Sequence, residues 1–291
     1  MKKFLLFVAV IFMGISLFAQ TERKNFPVSD FTGIDAGGVF NIELVKADKA
    51  SVVIETDAKI MEVIKVSVSR GVLHLSMNTE DLPRLLKRNM PDISVKIGIK
   101  ELNYLELSGA SKLTCLSSFS TNDFKADMSG ASRVNDLRID CKSFLLEASG
   151  ASRMTLSGSV SGTAKYDLSG AVNLDIRQDA ENLTFDGSGA CKVKYNGAVA
   201  NMVDISFSGA SSMTMAGKGA KTMNVGISGA SKFDSLEFPV RDMKVGLSGV
   251  SKADVNASNT LSTNVSGGSK LNYKGDAKTT HSAPPSIKKI D

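Results

Sequence analysis

No tryptophan occurs in this 291-residue chain, and aromatic residues make up only 6% of it. Neutral-sugar sites usually stack the sugar on an aromatic platform. The four tyrosines, Tyr104, Tyr166, Tyr195 and Tyr273, do not fall in one outward column, so lectin chemistry of that kind has little to stand on. Cysteine is almost as scarce. Cys115, Cys141 and Cys191 are odd in number and out of phase with one another. They are expected to be small buried hydrophobes rather than a disulfide framework. The two histidines, His74 and His281, lie far apart, one in an alternating strand and one in a polar tail, and both are expected to be exposed bystanders. No catalytic residues, metal ligands or cofactor site are expected.

Charge of either sign is also modest. The formal net charge is +5, and it falls to about +3 once Lys2 and Lys3 are removed with the leader. That is too little to argue for nucleic acid. Beyond the first residues no segment is apolar enough to span a bilayer. Lys2-Lys3, the apolar run Phe4–Phe18 and the small Ala19 read as a secretory signal over residues 1–19. No cysteine stands at the cleavage point, so a lipoprotein is not expected. The protein is expected in the periplasm, on the outer surface or secreted.

Glycine and serine are abundant instead, and they are periodic. Ser-Gly-Ala or a close variant begins at Ser108, Ser129, Ser149, Ser169, Ser188, Ser208, Ser228, Ser248 and Ser266, at steps of 21, 20, 20, 19, 20, 20, 20 and 18 residues. A period of this size marks a solenoid. Aligned on the first serine, the positions three and one before it and five after it are mostly apolar, with polar residues between. That is strand alternation on both sides of a turn. Glycine gives the corner its backbone freedom, alanine is expected to fit a cramped inward position, and serine to hydrogen-bond local backbone. The fold class is all-β: a right-handed parallel β-helix with about 20 residues per coil, preceded by a β-strand region that caps or extends the amino-terminal end. The expected divisions are residues 20–100 for the leader and strand cap, 101–275 for nine coils, and 276–291 for a tail that is loose or packed over the other end. Residues 21–30 read as an exposed leader, and residues 79–92 as a short helix or excursion loop.

Phe31-Thr32-Gly33-Ile34, Val39–Leu44, Leu102–Lys112, the serial Ser-Gly-Ala motifs and the closing Leu271–Asp276 resemble the auto-transporter adhesin, head GIN domain family. Asp35 stands where the family's name-giving triplet ends in Asn. The resemblance covers residues 26–291 and implies an exported β-helical protein, mostly of Bacteroidetes, with no active site to carry over. The chain lacks the amphipathic strands of a translocator barrel.

The sharpest candidate for binding is a cationic column four residues after each first serine: Lys112, Arg133, Arg153, Lys192, Lys232, Lys252 and Lys270, interrupted by Asn173 and Ser212. Stacked in register, these would form a ladder that an anionic polysaccharide could neutralise. An acidic column two residues before the serine, Glu106, Asp127, Glu147, Asp167 and Asp186, is expected to pair with it across the corner. In the last coils that column is uncharged, so Lys232, Lys252 and Lys270 become the favoured surface. The expected function is an adhesin or glycan-binding module with no enzymatic activity. The alternatives are a structural spacer or assembly component that binds another envelope protein, and a polysaccharide-active enzyme. Coils of constant length argue against the last, because they leave no loops to build a cleft.

Overall fold

The computed structural model describes residues 21–80, 82–281 and 286–290. The signal reading of residues 1–19 lies outside them. The described residues build one continuous sheet of 25 strands wound into a parallel β-helix. No helix among them is long and apolar enough to cross a membrane.

The first nine strands explain how the coil begins. They are β1 (Thr21–Phe26), β2 (Gly33–Gly38), β3 (Phe40–Lys46), β4 (Ser51–Asp57), β5 (Ile64–Ser69), β6 (Val72–Met77), β7 (Ile93–Ile99), β8 (Tyr104–Gly109) and β9 (Lys112–Cys115). Two short helices, α1 (Ala58–Met61) and α2 (Arg84–Arg88), interrupt them. β8 and β9 form the first Ser-Gly-Ala coil, but β2 and β3 already lie beneath them in parallel register, Gly37 against Ser108 and Leu44 against Cys115. One layer further down, β6 underlies β2 and β7 underlies β3. Gly37-Gly38 is therefore a corner of the same kind as the later ones. The end is closed by antiparallel strands: β4 on β7, β1 on β4, and β5 on β6. Antiparallel closure with charged, outward residues such as Glu22, Arg23 and Lys24 blunts an edge that would otherwise recruit another chain. Residues 21–26, expected as a leader, are thus an edge strand. At the other end 278–281 and 287–289 continue the two faces by one more tier, so the tail joins the coil.

The corner has a different inside and outside from the one expected. The first serine, the glycine and the alanine all face outward, and the second serine faces in: Ser111, Ser132, Ser152, Ser211, Ser231, Ser251 and Ser269 are all buried. The left-handed glycine is what turns the corner itself outward. Gly150 has φ +68°, and an added Cβ there would lie 2.4 Å from the carbonyl oxygen of Gly130 one coil below. That carbonyl instead accepts the N–H of Ala151 at 2.7 Å. Counted by twos from Ala148, the next inward side chains are Ser152 and Met154, so the alternation keeps its phase across the corner and only the left-handed Gly150 leaves the inward set. The inward hydroxyls are satisfied locally: Ser152 donates to the Ser149 carbonyl at 2.6 Å, and Ser231 donates to the Gly209 carbonyl while accepting from the Ser211 N–H. Val172 and Cys191 occupy the same inward position, and the Cys191 thiol donates to the Ser188 carbonyl.

The core is a column of side chains running through the coils. Phe124, Phe144, Tyr166 and Phe185 stack with centroid separations of 5.5, 5.3 and 4.5 Å. All three cysteines are buried and free, and burial raises their thiols, Cys141 to about 12. One polar group sits among these rings. Tyr166 donates to Gln178 Oε1 at 2.6 Å and Tyr195 donates to the Gln178 carbonyl at 2.6 Å, while Gln178 Nε2 has no partner among the described residues. Replacing Tyr166 with Phe alone should cost about 1–3 kcal/mol, because it orphans Oε1 as well. Combining it with Gln178→Met removes both buried polar ends and should restore or exceed wild-type stability. Urea midpoints of the two variants check this.

Candidate functional site

The sharp corners separate two outward faces of opposite sign. On the face before the corner, Asp35, Glu106, Asp127, Glu147, Asp167 and Asp186 stack in direct register on successive coils. All but Asp35 line a shallow groove of about 630 Å³ together with Ser129, Ser149, Ser169 and Ser188. Acids one rung apart lie about 4.8 Å from each other, so they need counter-charge. It comes from the same face. Lys125 bridges Glu147 at 2.7 Å and Asp127 at 3.4 Å, and Lys165 bridges Asp167 at 2.8 Å. Tyr104 donates to Glu106 at 2.6 Å and to Asp127 at 3.2 Å. Desolvation, then the hydrogen bond with Glu147, raises the Asp127 carboxyl, whereas the Lys125 ammonium lowers that of Glu147. Desolvation and the bond to Glu106 raise the Tyr104 phenol. Among the described residues no three His, Cys, Asp or Glu side chains converge on a point that would hold a metal ion.

The face after the corner carries the cationic column. Lys112, Arg133, Arg153, Asn173, Lys192, Ser212, Lys232, Lys252 and Lys270 are in unbroken register, one per coil. The expected ladder is present and its cations are exposed. No ion pair among the described residues links it to the acidic column, because the corner turns the two onto different faces.

What distinguishes its two halves is the neighbouring column two residues on. Lys112, Arg133 and Arg153 stand beside Thr114, Asn135 and Thr155, and Lys192 beside Lys194. Arg138 and Arg177 lie on the same face two coils apart, each one rung from Ser157. None of these basic groups is in an ion pair among the described residues; Asp175 is the one acid in this early column, in register between Thr155 and Lys194, and Asp136, Asp140 and Asp179 also stand two residues from Arg138 or Arg177. In the later half Lys252 is bridged by Asp254 at 2.9 Å, and Lys232 stands two residues before Asp234. Lys270 lies beside Asn272, which donates to Asp254 at 2.7 Å. The positive surface is therefore strongest over the earlier coils. Sequence spacing alone hides this, because the counter-charge of the later lysines stands two residues after them, at Asp234 and Asp254, and not in the acidic column before the corner.

His74 is no bystander. Its Nδ1 lies 2.9 Å from Asp35 Oδ2 and its Nε2 lies 2.9 Å from Ser69 Oγ. Three strands assemble this chain: β2 and β6 pair Asp35 with His74 laterally, and the hairpin of β5 and β6 brings Ser69 diagonally beside it. No linear spacing in the sequence announces it, since the lateral register that brings Asp35 to His74 joins residues 39 apart. The side chain of His281 falls outside those described.

A family sequence profile described as "Putative auto-transporter adhesin, head GIN domain" matches residues 30–196 and, again, 164–277. Among solved structures, a putative lipid binding protein of Parabacteroides distasonis is 17% identical, covering 93% of this chain and 97% of its own, with a TM-score of 0.46. A putative adhesin of Parabacteroides merdae is 13% identical over 93% of this chain and 96% of its own, with the same score. A putative adhesin of Bacteroides fragilis is 17% identical over 93% and 97%, with a TM-score of 0.34. No curated protein matches the chain.

Proposed function

The chain belongs to the putative auto-transporter adhesin, head GIN domain family, and from that premise we propose that it is an exported surface-binding protein that holds linear polyanions along its cationic strand face. The observation that supports this is the register of Lys112, Arg133 and Arg153 beside uncharged Thr114, Asn135 and Thr155. Like charges one rung apart repel, and an anionic chain laid along the coil axis would relieve that repulsion. Uronic or sulfated polysaccharide supplies charge at a comparable repeat. The rigid coil fixes the spacing before binding, which lowers the ordering cost of association.

The test is binding of residues 20–291 to a sulfated glycan, a polyuronate and neutral dextran at low and high salt. Binding to the two anionic polymers should weaken steeply as salt rises, because exposed charges are screened over about 10 Å at 0.1 M. Arg133→Ser/Arg153→Ser/Arg177→Ser should reduce low-salt affinity by about tenfold or more, as each lost exposed contact contributes up to ~1 kcal/mol. Lys232→Ser/Lys252→Ser/Lys270→Ser should reduce it less. Equal binding to dextran, or a triple arginine variant that binds like the parent, would overturn the assignment.

A further inference from the structure

We propose that Ser69, His74 and Asp35 form a hydrolytic triad that cleaves short-chain carboxylic esters at the amino-terminal end of the coil. This goes beyond the binding reading and does not rest on it, because the triad lies away from the cationic face. Three observations carry it.

The first is the geometry. The chain Ser69 Oγ, His74 Nε2, His74 Nδ1, Asp35 Oδ2 has both contacts at 2.9 Å, within hydrogen-bond reach of a nucleophile, its base and the group that orients the base. The order of atoms fixes the roles. A carboxylate accepts only, so Nδ1 carries the proton toward Asp35. Nε2 is then left as the acceptor for the Ser69 hydroxyl. This is the tautomer that general-base activation of a serine requires.

The second is rigidity. Asp35 and His74 are neighbours in a parallel ladder, and His74 and Ser69 belong to one antiparallel hairpin. The backbone, not flexible loops, sets their separation. Asp35 and His74 are each about one-third exposed, with side-chain exposures of 33% and 37%, and Ser69 is open to solvent. The nucleophile is thus reachable while its partners are held.

The third is the backbone immediately after the nucleophile. Arg70 has φ +50° and Gly71 φ +75°. Positive φ at both central positions matches a type I′ hairpin turn, where Asn or Gly is the usual occupant. A non-glycine residue held there is strained, and such outliers cluster at functional positions. No protein group among the described residues accepts from the N–H of Arg70 or Gly71. The N–H of the residue following a nucleophilic serine is a common donor to the developing oxyanion.

The reaction closes without any further reagent than water. Ser69 Oγ bonds to the ester carbonyl carbon as its proton passes to His74 Nε2. The carbonyl oxygen takes the negative charge, facing the free N–H groups of the turn. The intermediate collapses, the carbon–alkoxy bond breaks, and the alcohol leaves with the proton from Nε2. Water then adds to the acyl-Ser69, again giving its proton to Nε2. The carboxylic acid departs and Ser69 Oγ recovers its proton. Asp35 acts as a positioning residue, holding the ring and stabilising the transient imidazolium. Ser69 is exposed on an open hairpin, so the acyl group is short, of the acetyl kind, and carried on a substrate that can lie against a surface.

The test uses residues 20–291 with a fluorophosphonate probe, whose phosphorus Ser69 would attack with loss of fluoride, and with p-nitrophenyl acetate. Peptide mapping should place the adduct on Ser69. Ser69→Ala and His74→Gln should each lower labelling and ester turnover by at least about 100-fold, in the range of a lost general base. Asp35→Asn should lower kcat more than KM and displace the pH–rate profile, which a purely structural role would not do. Ser69 is exposed, so Ser69→Ala should keep the parent's thermal midpoint and serve as the folded control. Adducts scattered over many serines, or turnover equal in the parent and in folded Ser69→Ala, would overturn the proposal. So would an unlabelled Ser69 whose only response to His74→Gln is a lower thermal midpoint.

Discussion

Gly150→Ala should unfold at a far lower urea concentration than the parent, with a loss of about 2–5 kcal/mol. Two costs add. The residue sits at φ +68°, where an L side chain costs about 1–2 kcal/mol. Its new Cβ would also lie 2.4 Å from the Gly130 oxygen and 3.0 Å from the Gly130 nitrogen. Both obstacles are backbone, and the Gly130 carbonyl is already engaged by Ala151. Neither can swing aside as a flexible side chain would, so the coil must shift, at a typical overpacking cost of about 1–3 kcal/mol. Two companion substitutions separate the terms. Gly71→Ala has the same sign of φ, +75°, but nothing within 4 Å, so it should pay the conformational cost alone. At Gly226 the nearest atom to an added Cβ is a carbonyl oxygen at 3.8 Å, and the backbone is ordinary strand. Gly226→Ala should be neutral or stabilise by about 0.5–1 kcal/mol, because alanine loses less backbone entropy on folding. Urea unfolding followed by circular dichroism orders the three. If Gly150→Ala and Gly71→Ala cost the same, the carbonyl-to-glycine stacking of the corners is wrong.

Phe185→Ala is expected to cost about 3–5 kcal/mol, the range for removing a large buried aromatic side chain. Phe185 is fully buried and lies between Tyr166, stacked at 4.5 Å, and Tyr195, edge-on at 6.3 Å. The strands that flank it are fixed by hydrogen bonds to the coils above and below, so the space left behind cannot close. A coil contacts only its neighbours, so the damage should appear as a break in the middle of the solenoid. The expected signature is a loss of single-step unfolding: the coils on either side of the gap melt at different urea concentrations. Leu116→Ala, at a side chain 56% exposed, should stay within about 0.5 kcal/mol of the parent. A single transition displaced no further than that of Leu116→Ala would show that the aromatic column does not couple the coils.

The two charged faces are neutralised in different ways. The acids carry their own counter-ions, Lys125 and Lys165, on the same face. Lys112, Arg133 and Arg153 have no ion-pair partner among the described residues. A charge left without an internal partner is available to a ligand at little desolvation cost, whereas Lys252 must first part from Asp254.

The sequence by itself determined the period, the inward columns and the cationic ladder. All three follow from a repeat near 20 residues that places equivalent side chains one above another, and Leu113, Val134 and Met154 are buried as that alignment requires. The family resemblance was legible for the same reason. Only the tertiary structure decided the rest. Counting by twos from Ala148 passes through Gly150 to Ser152, but only the positive φ of Gly150 shows that the corner itself turns outward and takes Ala151 with it. The pairing of acids was hidden because Asp127 and Arg133, six residues apart, face different directions after the bend, while Lys125 and Asp127 share a face. Gly37-Gly38 was not recognisable as a coil corner, because an excursion from residue 47 to 103 separates it from the repeats that it underlies. Ser69, His74 and Asp35 meet through one hairpin and one lateral ladder, and lateral register between distant strands is a property of the packed coil that no local pattern encodes.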